Sequence, residues 1–354
     1  IDYYKAETYG KVTLKFDYAP LQEKISGKAS DYYDKSGELV KLAFEAFKKS
    51  NPQIDYEGII ISLPKEYTNI AAGWASGISP NWTATNEVGL RLIWMGAAPF
   101  NWGDPYAPPW KVLAHEVGHN FGLADLYATD TNTEKIDNYM GKTIGPFDIM
   151  GSLSAQGNEI SFWHRWLAGW LADNQVTCIA DATNAITATL SPVGTNDGQM
   201  KGIVIPLSRF SALLIESRKA QGYDTRLLAD ETGLVVYKIN TQVASGAGPI
   251  QVVPKVNQYT NTPFSKALHD MVRFLKAPLQ VGDSVTAEGY TIINVGDSST
   301  DKALVIKGED PRPIATITSQ LASEYGLSEI SIPDRKSTRL NSSHEWISRM
   351  PSSA

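Results

Sequence analysis

An α+β fold is what this sequence predicts, and two observations carry the prediction. Up to about Trp170 the chain mixes helical spacing with short apolar strands. Beyond it, short β-branched segments follow one another between Gly, Asn and Asp turns. The chain has 354 residues, 42% hydrophobic and 20% charged. That exceeds one average domain and has the composition of a globular protein.

The elements follow in order. Lys11 to Tyr18 alternates apolar and polar residues as a half-buried strand does, so the record opens almost inside an element and its upstream part is expected to be missing. No signal peptide is legible at Ile1-Asp2-Tyr3-Tyr4. Ser36 to Ser50 places Leu39, Leu42, Ala43 and Phe47 at helical spacing. Ile54 to Leu63 holds an apolar run stopped by Pro64, which reads as a buried strand. Residues 65–86, rich in Gly, Ala, Asn and Ser, read as loop, and Val88 to Met95 as a further strand. A Pro/Gly/Trp loop, Ala98 to Pro109, leads into a helix. After Trp170 the expected strands are Ala185–Leu190, Gly202–Pro206, Ala212–Glu216, Gly233–Ile239, Ser284–Val295 and Ala303–Lys307.

Residues 335–354 are Ser-rich, basic and without periodicity, and resemble translated adapter or vector sequence; a disordered natural tail is the alternative. Arg335, Lys336, Arg339 and Arg349 against Glu345 leave this tail at +3, so the body carries -9 where the whole chain carries -6. An acidic body without a Lys/Arg block argues against a nucleic-acid partner. No apolar run approaches the roughly 18–20 residues that cross a bilayer, so no transmembrane segment is expected. Cys178 is the lone cysteine and cannot form an internal disulfide, which leaves the compartment open.

The chemistry concentrates in Pro109 to Tyr127. His115 and His119 stand four apart, so on a helix they share one face. Their imidazoles can converge on one cation at about 2.0–2.1 Å each, the bond length zinc prefers. Glu116 projects near the same face, where it can take the proton of a metal-bound water. A catalytic zinc needs a third protein ligand. Gly122 can end the helix in a left-handed conformation, which would turn Asp125 back toward the metal. The bland alternative is a buried helix with two satisfied histidines and a capping glycine.

Other candidates carry less. Met150 lies in the turn Pro146 to Ser152; by itself it reads as core packing. Tyr127 either polarises a substrate carbonyl or packs. His164 sits in Phe162 to Trp170, which reads as an amphipathic helix closing the core. Glu216, at the end of an apolar strand, reads as a buried ion pair with Arg218 or as a distal metal ligand. The pair His269-Asp270 is assigned no role.

These residues resemble the immune inhibitor A group of zinc metallopeptidases. The likeness runs from Asp2-Tyr3-Tyr4 and Thr8-Tyr9-Gly10-Lys11, through His115 to Tyr127 and Phe147-Asp-Ile-Met-Gly151. It continues with the Gly169-Trp170 helix end and the segment Glu216-Ser-Arg218 to Gly233-Leu-Val-Val-Tyr237. The resemblance implies a secreted, bacterial-type endopeptidase with a metzincin-like catalytic domain. It implies His115, His119 and Asp125 as zinc ligands, Glu116 as general base and acid, and Met150 as the methionine turn beneath the metal. Structural calcium is allowed as a second cofactor. Many relatives carry an acid directly after the tyrosine, where this chain has Ala128, with Asp130 two places on.

The expected organisation is therefore a zinc metallopeptidase region over 1–175 and a β-rich extension over 176–310. Residues 311–334 would start a truncated further module, and 335–354 would be non-native. The expected partners are protein or peptide substrates, met by a monomer; the strand Val88 to Met95 would pair with an extended substrate, and the loop Trp102 to Trp110 would wall the cleft. Two other classes compete: a non-catalytic surface module with a structural or vestigial zinc, and a zinc hydrolase acting on non-peptide amides or glycans.

Overall fold

The computed structural model describes residues 2–18, 25–33, 35–51, 57–67, 73–76, 91–105, 107–127, 143–153, 156–180, 185–255, 276–308 and 328–330. The segment 335–354 and the pair His269-Asp270 lie outside the described residues. The fold is α+β, with few helices and several sheets. It divides into two units: one from Thr13 to Ala124, the other formed by Asp2–Val12 together with the chain from Asp125 onward.

In the first unit the helical spacing of Ser36–Ser50 produces helix α2 over those same residues; the short helix α1 (Asp2–Glu7), earlier in the chain, belongs to the other unit. Leu39 and Val40 of α2 pack on Leu92 and Trp94. Those two belong to β3 (Arg91–Met95), which pairs in parallel with β1 (Gly58–Ser62) and antiparallel with β2 (Gly73–Ser76). Period-2 alternation turns Ile93 and Met95 to the opposite face. Helix α3 (Pro109–Asn120) lies against β2 and β3, and all of Leu92 to Met95 is buried. A central strand covered on both faces is why its sequence is continuously apolar rather than alternating.

Three expectations need correction here. Lys11 to Tyr18 forms no strand: the segment is irregular, and Tyr18 is 90% exposed. An alternating pattern needs a pairing neighbour as well as a buried face, and neither meets this segment among the described residues. Residues 65–86 are not all loop, since Gly73–Ser76 pairs with β3 along its length. The strand within Val88 to Met95 is flanked on both sides, so its backbone is already paired.

The second unit carries the β-rich half. One sheet has the order β4-β6-β7-β8-β9, formed by Val176–Cys178, Gly202–Pro206, Ser211–Arg218, Gly233–Asn240 and Ile250–Val252. The other has the order β10-β11-β12-β5-β13, formed by Ser284–Ala287, Tyr290–Asn294, Asp301–Lys307, Ile186–Leu190 and Ser328–Ile330. The two share one core. Ile203, Ile205, Leu213, Ile215, Leu234 and Val236 of the first sheet pack with residues of the second, among them Leu190, Ile292 and Val305.

The other face of the first sheet carries Glu216 and Tyr237, and it meets helix α4 (Phe162–Leu167) closely enough that a Cβ on Gly202 would stand 2.2 Å from the Phe162 ring. Helix α1 belongs to this unit too. Tyr3 Oη donates to the Asn158 carbonyl at 2.6 Å, Tyr9 Oη to that of Val193 at 2.5 Å, and Glu7 Oε2 accepts from the Ile160 N–H at 2.7 Å.

Candidate metal centre

Helix α3 begins with Pro109 at its first position, where the missing N–H costs nothing. It buries Val112, Ala114 and Val117. That leaves His115 and His119 one turn apart, with ring centroids 4.8 Å from each other and planes at 89°. His115 and Glu116 are buried on the same helix, and His119 is half-buried. The helix ends as expected at Gly122, which takes φ 84. Leu123 N–H donates to the Gly118 carbonyl at 3.1 Å and Gly122 N–H to that of His119 at 2.9 Å, the paired bonds of a Schellman turn. The turn also orients a histidine ring. His119 Nδ1 lies 2.9 Å from the Leu123 carbonyl. A carbonyl only accepts, so Nδ1 carries a proton, and in the neutral ring Nε2 is then the nitrogen with the lone pair a cation would take.

Three residues beyond the glycine stands Asp125. One donor atom from each of His115, His119 and Asp125 lies within 4.8 Å of the others, and among the described residues this is the acidic and imidazole cluster able to hold a metal ion. Two imidazole nitrogens and a carboxylate oxygen are the donor chemistry of a three-ligand catalytic zinc site. The residues present therefore fit the group that the spacing called for. No second group of three or more His, Cys, Asp or Glu side chains so placed occurs among the described residues.

The remaining candidates fall elsewhere. Glu216 is fully buried on β7: Oε1 accepts from Arg218 Nε at 2.7 Å and from Tyr237 Oη, and Oε2 accepts from the Phe162 N–H at 2.8 Å. It serves the ion pair and is outside the metal cluster. His164 is also fully buried, on α4, with Nδ1 3.0 Å from Asp148 Oδ2, and it too is outside the cluster. Tyr127 is half-buried at the end of the ligand segment. Ala128 and Asp130 lie outside the described residues.

Met150 is fully buried, and its carbonyl accepts from the Leu126 N–H at 3.0 Å, so the turn that carries Met150 is tied to the residue next to Asp125. The turn is tight: a Cβ on Gly151 would stand 2.1 Å from Ile144 Cγ2.

Sequence reasoning missed two residues that shape this site. Asp148 sits in the turn that carries Met150, and its carboxylate accepts from the N–H of Met150 at 2.8 Å. Burial opposes its charge, but His164 beside it and the N–H groups of Met150 and Ser161 outweigh that and hold the carboxyl below its usual range. Its place two residues before Met150 was a signal open to notice. Ser245, whose Oγ accepts from the Asp125 N–H at 2.9 Å, lies 120 residues away with no local signal. No protein-family model matches the chain, and a search of curated proteins finds no match.

Proposed function

We propose that this chain is a zinc-dependent endopeptidase, metzincin-like in its catalytic arrangement and secreted, as its resemblance to the immune inhibitor A group implies. The observation that carries the reading is the convergence of His115, His119 and Asp125 donor atoms within 4.8 Å, with Glu116 on the same helix. When bound there, zinc would lower the pKa of water toward about 7 and polarise the scissile carbonyl. Glu116 accepts the proton of the attacking water and delivers it to the leaving nitrogen. The resemblance assigns Met150 to an apolar floor beneath the metal, and here its carbonyl accepts from the N–H of Leu126, next to Asp125.

An extended substrate pairs with β2 rather than β3. Among the described strands β2 is an edge of its sheet, and it lies against α3. Trp102 and Trp110, 44% and 42% exposed on the chain entering α3, are the aromatic surface for substrate side chains. Against a structural zinc stands the ligand count: closed structural sites take four protein ligands, and the cluster among the described residues has three.

The test is Glu116→Ala on the full chain. Casein cleavage is expected to fall by about 10²–10⁴-fold while zinc content stays at the wild-type level. Zinc bound without chelator-sensitive cleavage in the wild type would favour the non-catalytic module, and a peptide-library digest separates a peptidase from a hydrolase of other amides.

A further inference from the structure

Asp125 and Leu126 lie in no helix or strand, so no ladder fixes their backbone. They are held instead from two sides by residues remote in sequence. On one side is the loop between β8 and β9. Ser245 Oγ accepts from the Asp125 N–H at 2.9 Å, and the Gly246 N–H donates to the Asp125 carbonyl at 3.1 Å. On the other side Leu126 donates its N–H to Met150 and its carbonyl accepts from Thr143 Oγ1. The Met150 turn is pinned in its turn by Asp148, whose Oδ1 accepts from the Met150 N–H. Asp148 Oδ2 accepts from the Ser161 N–H at 2.9 Å, Ser161 Oγ at 2.8 Å and His164 Nδ1 at 3.0 Å. His164 is fully buried, and its Nε2 has no hydrogen-bond partner among the described residues. The ring's one side-chain bond therefore goes to Asp148.

We propose that Ser245 and the Asp148–His164 pair are positioning residues for the Asp125 ligand, fixing from opposite sides the backbone from which its carboxylate reaches the cation. This rests on the metal reading above and adds residues that touch neither metal nor substrate. A carboxylate on an unladdered segment would otherwise be spread over several orientations, and each hydrogen bond to its backbone removes some of them. The outcome is a donor already placed before the cation arrives, which raises affinity without adding a ligand.

The measurement is zinc affinity of the full chain by competition with a chromophoric chelator, together with the absorption spectrum of the cobalt-loaded protein. Ser245→Ala removes the acceptor without adding bulk. It is expected to weaken zinc about 10–100-fold and to change the cobalt spectrum, while Ser245→Thr, which keeps the oxygen, restores both. In an Asp125→Ala background the same Ser245→Ala change is expected to cost nothing further, because its effect passes through Asp125. His164→Gln is expected to weaken zinc in the same sense; wild-type affinity in that variant would remove His164 from the proposal. Wild-type affinity in Ser245→Ala, or an equal loss with and without Asp125, overturns the Ser245 role while leaving the peptidase reading intact. A wild-type chain that binds no zinc would sink both.

Discussion

Gly122 acts through a single torsion. Its φ of 84 is one that side-chain-bearing residues rarely adopt, yet a Cβ there would meet nothing within 4 Å. Alanine would thus be penalised by backbone strain alone, about 1–2 kcal/mol. Gly122→Ala is expected to lose about that much stability in urea melts and to bind zinc more weakly, because relieving the strain moves the turn that carries Asp125. Asparagine, which tolerates the left-handed region better, should fall between the two; equal loss in both variants would place the cause in packing. At this scale the site was legible where its parts are close in sequence. His115, Glu116, His119, Gly122 and Asp125 follow one another within a helix and its cap, so spacing alone places them. Ser245 reaches Asp125 from 120 residues away, and only tertiary structure makes that contact.

The elements that sequence reading located are the ones long enough to show a period. Helix α2 and strand β6 occupy the residues their patterns marked, Ser36–Ser50 and Gly202–Pro206. Strands β4, β9 and β13 have three residues each, too few for alternation to register. Strand β2 has the composition of a loop, and its pairing with β3 overrides that. Helix α1, six residues, is too short to be stable through its own turns. It is held by side chains, with Glu7 at the centre: Glu7 Oε2 accepts from Arg165 Nη2 at 2.7 Å, and Glu159 accepts from the same nitrogen.

Burial pushes the Glu7 carboxyl well above its usual range; Arg165 opposes this, and the like charge of Glu159 adds to it. A group whose folded pKa is raised lends stability below its unfolded pKa and loses it as pH rises through the folded value. Glu7→Gln, which imitates the neutral form, is therefore expected to flatten the decline in urea midpoint above the usual carboxylate range. Parallel pH profiles for variant and wild type would show that Glu7 is ionised in the fold.

At the scale of the molecule, the formal charge of -6 counts every carboxylate as ionised. The second unit buries two guanidinium groups, Arg165 and Arg218, against Glu7, Glu159, Glu216 and Asp224. Negative partners outnumber positive ones, and Asp224 responds as Glu7 does. Burial raises its pKa, Arg218 pulls the other way, and Glu159 adds to the rise. For both carboxyls the fold thus favours the protonated form more than water does. Arg218 also donates to the carbonyls of Glu159 and Phe147, so it anchors backbone as well as charge. Arg218→Met is expected to cost about 3–5 kcal/mol by urea denaturation, because it strands buried carboxylates. A loss below about 1 kcal/mol would mean that they simply take up protons.

The docking of α1 also sets an order of events on the ribosome. Tyr9 hydrogen-bonds Val193, 184 residues later in the chain. At about 5–20 residues per second, synthesis alone separates the two by roughly ten to forty seconds. The residues of α1 must wait through the making of nearly everything they will touch, with Tyr3 and Tyr4 uncovered meanwhile. A nascent chain stalled before Val193 should leave this segment open to protease, and release of the full-length chain should close it.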